Sequence, residues 1–156
     1  MIQNNSFYFL TCFLYYVSLA SIHPFLDVID KFAFPSESRT TLATGLSLAR
    51  HSSAGFSGAS SAGYVAGGAS AFLGTVFATV DKFAFPSDSR STLGTGLSTA
   101  RTAVAGFGSL FAGYAAGGDT GSNVDTVDKF EFSTDSRSTT TSLSSARRRA
   151  TGFQDA

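Results

Sequence analysis

Residues 80–101 read "VDKFAFPSDSRSTLGTGLSTAR", and the chain repeats the passage with small changes elsewhere. Residues 29–50 read "IDKFAFPSESRTTLATGLSLAR", and residues 127–147 carry a shortened version, "VDKFEFSTDSRSTTTSLSSAR". Asp30, Asp81 and Asp128 head one series of equivalent positions. Ala49-Arg50, Ala100-Arg101 and Ala146-Arg147 form a second, and Gly55-Phe56, Gly106-Phe107 and Gly152-Phe153 a third. Tyr64 and Tyr114 each stand three residues before a double glycine, Gly67-Gly68 and Gly117-Gly118. The period is about 50 residues, the range of propeller blades rather than of small solenoid repeats. Such a unit cannot bury its own apolar faces and requires a like neighbour on each side.

Within one unit the local signals are those of strands. In "TVDKFEF" the residues Val127, Lys129 and Glu131 alternate with Asp128, Phe130 and Phe132, the period of two of an extended segment whose faces differ. "PSDSR" and "STDSR" read as turns, because Pro86 presets its own φ and the Ser and Asp side chains bond nearby amides. The chain is expected to return through "STLGTG" as a weaker strand, then to pass through the polar "LSTAR" into two short strands, "TAVAGFGS" and "FAGYAAGG". Helix is disfavoured there, since each interior glycine costs about 1 kcal/mol relative to alanine. The double glycine closes the second strand, where φ > 0 and a close backbone approach are open to it.

The composition agrees with closely packed sheets. Phe occurs 16 times and Gly 16 times, while Trp is absent, in a chain of 156 residues. Large flat rings set among very small side chains suit sheets lying face to face. Acidic and basic residues balance at 11 each, so no global field draws the chain to nucleic acid or to an anionic membrane. Cys12 is the sole cysteine, which excludes an internal disulfide framework and a thiolate metal cluster.

The first 22 residues differ from the remainder. Residues 6–22, "SFYFLTCFLYYVSLASI", carry no formal charge and form an apolar run of about 17 residues, short of the roughly 20 that span a bilayer as a helix. This segment is expected to be helical, and three roles stand open for it: a secretory signal cleaved near Ala20, an uncleaved anchor, or a leader without a targeting role. A signal peptide would make the protein secreted or extracytoplasmic.

The expected fold class is therefore all-β, with antiparallel four-stranded blade repeats over 23–156: a half blade at 26–45, blades at 46–96 and 97–143, and the first strand of a further blade at 144–156. Residues 97–139 and their forerunner at 46–92, with Tyr and double glycine, a polar "xxAR" entry and a Phe-rich third strand, resemble the kelch repeat of β-propellers. The resemblance implies a partial propeller. The Trp usual in the fourth kelch strand is missing, with Leu42 and Leu93 near its place. Closed propellers have about 4 to 8 blades. Three explanations follow for so few: a piece of a longer chain, closure of the ring in trans as a homo-oligomer, or an open stack.

Chemistry is expected to be sparse. His23 and His51 occupy unlike contexts, and the equivalents of His51 are Thr102 and Arg148, so no metal series forms. The recurring Asp30, Asp81 and Asp128 with Arg50, Arg101 and Arg147 are read as serving the blade, because catalysis needs an asymmetric cluster. Asp119, Asn123, Asp125 and Asp128 offer oxygen ligands in one loop, but their spacing is not that of an EF-hand and the preceding copy lacks the acids. Arg147, Arg148 and Arg149 are read as a solvated strand entry rather than a nucleic-acid patch. Tyr64 and Tyr114 could stack sugars, but their recurrence points to packing between blades. No catalytic, cofactor or metal residue is assigned. The function expected is a non-catalytic repeat module, a scaffold or binding surface for a protein or glycan ligand at the rim loops "DTGSN" and "PSDSR". Two alternatives stand beside it: part of an extracellular carbohydrate-active or oxidase enzyme whose site lies outside this chain, and a self-assembling structural protein.

Overall fold

The computed structural model of the protein describes residues 6–9, 26–33, 36–58, 61–70 and 74–153. Every regular element among them is a strand: β1 (Ser6–Phe9), β2 (Asp30–Ala33), β3 (Ser38–Thr41), β4 (Ala54–Gly58), β5 (Ala62–Ala66), β6 (Val80–Ala84), β7 (Ser89–Thr92), β8 (Ala105–Gly108), β9 (Ala112–Ala116), β10 (Val127–Glu131) and β11 (Arg137–Thr139). They form three antiparallel sheets in the orders β1-β2-β3, β4-β5-β6-β7 and β8-β9-β10-β11. Each sheet is a meander, in which every strand pairs with its neighbours in sequence, β1 joining β2 across a long segment. This is the all-β, blade-repeat architecture of a partial propeller that the repeats imply.

The sheets meet face to face through the mixture of rings and glycines. The Phe56 ring of the second sheet stacks between Tyr64 of its own sheet, 5.3 Å away, and Phe130 of the third, 5.6 Å away. Tyr64 in turn stacks on Phe132 at 5.4 Å. The ring of Phe56 packs on Gly113, where a Cβ would overlap it. Small residues thus make room for large ones across the joint. Ala54, Val80, Leu97, Val104 and Ala115 complete this core, and Ile29, Leu46, Val65 and Phe83 form the corresponding core between the first and second sheets.

The double glycines sit where the chain must bend leftward beside a neighbouring backbone. Gly67 and Gly68 have φ of 67° and 106°, and Gly117 and Gly118 have 62° and 116°. The Gly68 amide donates to the Arg101 carbonyl at 3.0 Å, and a Cβ on Gly67 would come within 2.7 Å of that same oxygen. The turns after the third strands also repeat a left-handed residue, Glu37, Asp88 and Asp135 at φ of 55°, 56° and 56°. Asp tolerates that region better than most residues, although it remains uncommon.

Two expectations need correction. The apolar leader was expected to be helical, but Ser6–Phe9 is strand β1, paired to β2 with Tyr8 opposite Lys31. The same register sets Tyr64 opposite Lys82 and Tyr114 opposite Lys129. A strand rich in aromatic residues is a good match for the otherwise unpaired edge of β2, so the half blade has three strands. The remainder of the leader lies outside the described residues. The return strand also begins earlier than expected. It is β7, Ser89–Thr92, while Leu93 to Gly96 fall beyond it. The left-handed turn at Asp88 reverses the chain so tightly that Ser89 already faces Ala84.

Gly106 of β8 lies against Gly55 of β4, and a Cβ on Gly106 would overlap the Gly55 carbonyl oxygen. Gly106→Ala should therefore lower stability by about 1–3 kcal/mol, the usual cost of forcing extra volume into a packed joint. Urea unfolding followed by far-UV circular dichroism would measure it.

Candidate functional site

The charged residues that recur in every copy hold the chain where it crosses between sheets. In the second sheet Asp81 is fully buried. Its Oδ2 accepts hydrogen bonds from the Ser47 amide and hydroxyl, both at 2.8 Å, and from Arg50 at 3.0 Å. Its Oδ1 accepts one from the Thr92 hydroxyl at 2.7 Å. Arg50 also donates to the Val65 carbonyl at 3.2 Å. The third sheet repeats the arrangement: Asp128 accepts from the Ser98 amide and hydroxyl at 2.8 and 2.9 Å and pairs with Arg101 at 2.9 Å. Arg101 donates further to the carbonyls of Ala115 and Gly117. Burial pushes the Asp81 carboxyl upward, but the hydrogen bonds from Thr92 and Ser47 and the charge of Arg50 outweigh it, so the group stays below the ordinary carboxylate range. Burial draws the Arg50 guanidinium down against the opposing pull of Asp81.

A second set of charges ties each sheet to the next. Lys31 of the first sheet donates to Asp88 in the turn of the second at 2.9 Å. Lys82 of the second donates to Asp135 in the turn of the third at 2.6 Å. The Tyr64 hydroxyl joins the latter pair, donating to Asp135 at 2.8 Å, and its pKa is raised, by burial first and then by that carboxylate. Tyr64 is thus a joint residue that packs between sheets.

The oxygen-rich loop does not converge. Asp119 accepts from the Gly121 amide at 2.7 Å and pairs with Arg148; these partners hold its carboxyl below the usual range. Asp128 is committed to the buried Arg101. Among the described residues no three His, Cys, Asp or Glu side chains gather as a metal site would need. His51 bridges Ala69 through the backbone and bonds the Ser52 hydroxyl through Nδ1 at 2.9 Å. His23 lies outside the described residues. Arg147 and Arg148 are exposed.

The loops "DTGSN" and "PSDSR" lie at opposite ends of the strands, since one joins the second strand of a sheet to the third and the other the third to the fourth. At the latter end a shallow groove runs between the second and third sheets, lined by Ser61, Leu110, Phe111, Glu131, Phe132 and Ser133. Leu110 and Phe111 project into solvent, 57% and 76% exposed. The sequence reading did not single them out. The available signal was a departure from the repeat: "LFAGY" stands where the preceding copy has "SSAGY", and "DKFE" where both earlier copies have "DKFA". Leu110, Phe111 and Glu131, the three departures, border one groove.

No family model matches the chain, and no curated protein matches it. Among solved structures, one titled "Structure of YjhT" is similar at 11% sequence identity and a TM-score of 0.66, over 81% of this chain and 42% of that one. At that identity the likeness is one of fold. The chain matches less than half the length of that protein.

Asp81→Asn leaves a buried Arg50 without its counter-charge and should cost about 3 kcal/mol. Because folding lowers the Asp81 pKa, its contribution is complete above the unfolded value, about 4, and is lost as the pH falls through the folded value. Urea unfolding between pH 7 and pH 2 should show a loss of stability on acidification that is smaller in the Asn variant.

Proposed function

We propose that the protein is a non-catalytic, kelch-like repeat module, a scaffold whose binding surface is the rim groove between the second and third sheets. The observation that carries this reading is the break in repetition: Phe111 and Glu131 depart from the pattern of the other copies and line the same groove. Residues repeated in every copy serve the sheets; residues unique to one copy on an exposed rim have no such duty. Asp81, Asp128, Arg50 and Arg101 are buried and committed to structural bonds, which favours a scaffold over an acid–base centre.

The ligand class that suits the groove is a glycan. The exposed Phe111 ring offers a flat face for the apolar side of a sugar, and the Glu131 carboxylate with the Ser61 and Ser133 hydroxyls supplies partners for ring hydroxyls. A rigid sheet edge holds these groups in place.

Binding of the full chain to a glycan array, followed by titration of the best glycan against Phe111→Ala and Glu131→Ala, tests this. Each substitution should weaken binding by about tenfold, the effect of truncating one anchor residue, with the melting curve unchanged because Phe111 is exposed and Glu131 lies at a strand end. Glycan binding indifferent to both changes would refute the groove. Absence of glycan binding together with Phe111-dependent capture of an aromatic-bearing peptide would replace the glycan with a protein ligand.

A further inference from the structure

We propose that two copies of this chain close one six-bladed ring head to tail, with residues 151–153 of each copy supplying the inner strand that the first sheet of the other lacks. The inference rests on reading the sheets as propeller blades.

The two ends of the stack are complementary in every repeated contact. The first sheet has the order β1-β2-β3, which matches the second, third and fourth strands of the other sheets, so one edge of β1 is open among the described residues. At the opposite end, Thr151-Gly152-Phe153 repeat Ala54-Gly55-Phe56 of β4 and Ala105-Gly106-Phe107 of β8, the inner strands. Their approach to the third sheet is already that of a next blade. The Arg149 amide donates to the Ala103 carbonyl at 2.9 Å as the Ala103 amide does to Ser52 at 2.8 Å, and a Cβ on Gly152 would meet the Gly106 carbonyl as one on Gly106 would meet Gly55. Phe153 is 86% exposed. Carried onto a second copy, the β4–β5 register sets Gly152 opposite Phe9 and Phe153 opposite Tyr8 of that copy's β1.

The charges match too. Arg50 and Arg101 are buried against Asp81 and Asp128, but the side chain of Arg147, the third of the series, bonds Ser144 and Ser145 of its own loop and meets no carboxylate among the described residues. Asp30, the first of the Asp series, stands at the start of β2 and accepts from Arg39 and Thr41 through Oδ1, the oxygen by which Asp81 holds Thr92. Lys31 and Lys82 each reach the acidic turn residue of the following sheet. Lys129, in the last of the described sheets, pairs with Glu131 of its own strand. Glu37, the turn residue of the first copy, is exposed and holds no ion pair with a described residue. In the ring Arg147 meets Asp30, and Lys129 meets Glu37, of the other copy. Phe107 and Tyr114, stacked at 4.9 Å and half-buried, take the places held by Phe56 and Tyr64 at the inner joint and face Phe32 of the second copy.

A ring needs about 4 to 8 blades. The described residues form three sheets, and two copies of them make six. A head-to-tail joint that closes by rotation uses the same surfaces at both junctions and leaves neither exposed.

Gly55 supplies a selective test. In the single chain a Cβ on Gly55 meets no described atom within 4 Å, whereas its counterpart on Gly106 would overlap the preceding inner strand. Gly55→Ala should therefore leave the folded chain intact and act only on the ring, where the new methyl meets the Gly152 carbonyl of the second copy. Light scattering of the full-length chain across a dilution series should give the mass of two chains, with self-association weakened by about tenfold or more in Gly55→Ala. Lys129→Glu and Glu37→Lys should each weaken it by about two- to fivefold, and an equimolar mixture of the two should restore it, because every junction is then of opposite charge. Hydrogen exchange on the same samples separates the two levels of the argument. A one-chain mass with protected amides in β4–β10 would overturn the ring while leaving the blades; a mass that grows without limit, or a Gly55→Ala dimer as tight as the parent, would overturn it equally. Absence of protected strands would overturn the blade reading with it.

Discussion

Each passage of the chain from one sheet to the next is held by a buried carboxylate. Asp81 and Asp128 each collect an amide, a Ser hydroxyl and a buried guanidinium from the loop that enters their own sheet, and a Thr hydroxyl and a second guanidinium, Arg90 or Arg137, from the strand beside them. A carboxylate taken from water needs several such partners to be tolerated at all. The arrangement therefore specifies the path of that loop, since few other paths would satisfy the charge. Once the loop is held, Leu46 and Leu97 are set between sheets and the inner strands β4 and β8 are brought to glycine contact.

The same economy of parts explains why Phe and Gly recur together. A ring as large as Phe56 can lie between two sheets only where the facing strand has no side chain, and Gly113 provides that surface. Removing either member breaks the fit: a smaller ring leaves a void, and a larger partner forces the sheets apart.

Much of this was legible because the chain states it three times. Alternation in "VDKFEF", the glycine spacing and the Arg–Asp series pointed to strands, strand ends and structural charges, and β10, the double glycines that end β5 and β9, and the Arg50–Asp81 and Arg101–Asp128 pairs lie where those signals put them. Ser6–Phe9 was not legible. An uncharged aromatic run reads as a leader when periodicity is the only guide, and its role as β1 depends on the open edge of β2, a fact of tertiary structure that no local window contains. The groove at Phe111 and Glu131 escaped for a different reason. Attention to what repeats hides what does not, and only the alignment of "LFAGY" with "SSAGY" marks it.

The contact between Gly106 and Gly55 also has a geometric effect. Between the second and third sheets the close approaches involve β4 with β8 and β9, on the inner side. The outermost strands β7 and β11 are largely exposed and carry longer side chains. Bringing one margin of each sheet to backbone contact while the other stays apart makes every unit a wedge. A row of wedges curves about its thin side with each one added, so the glycine that permits the close approach also sets the bend.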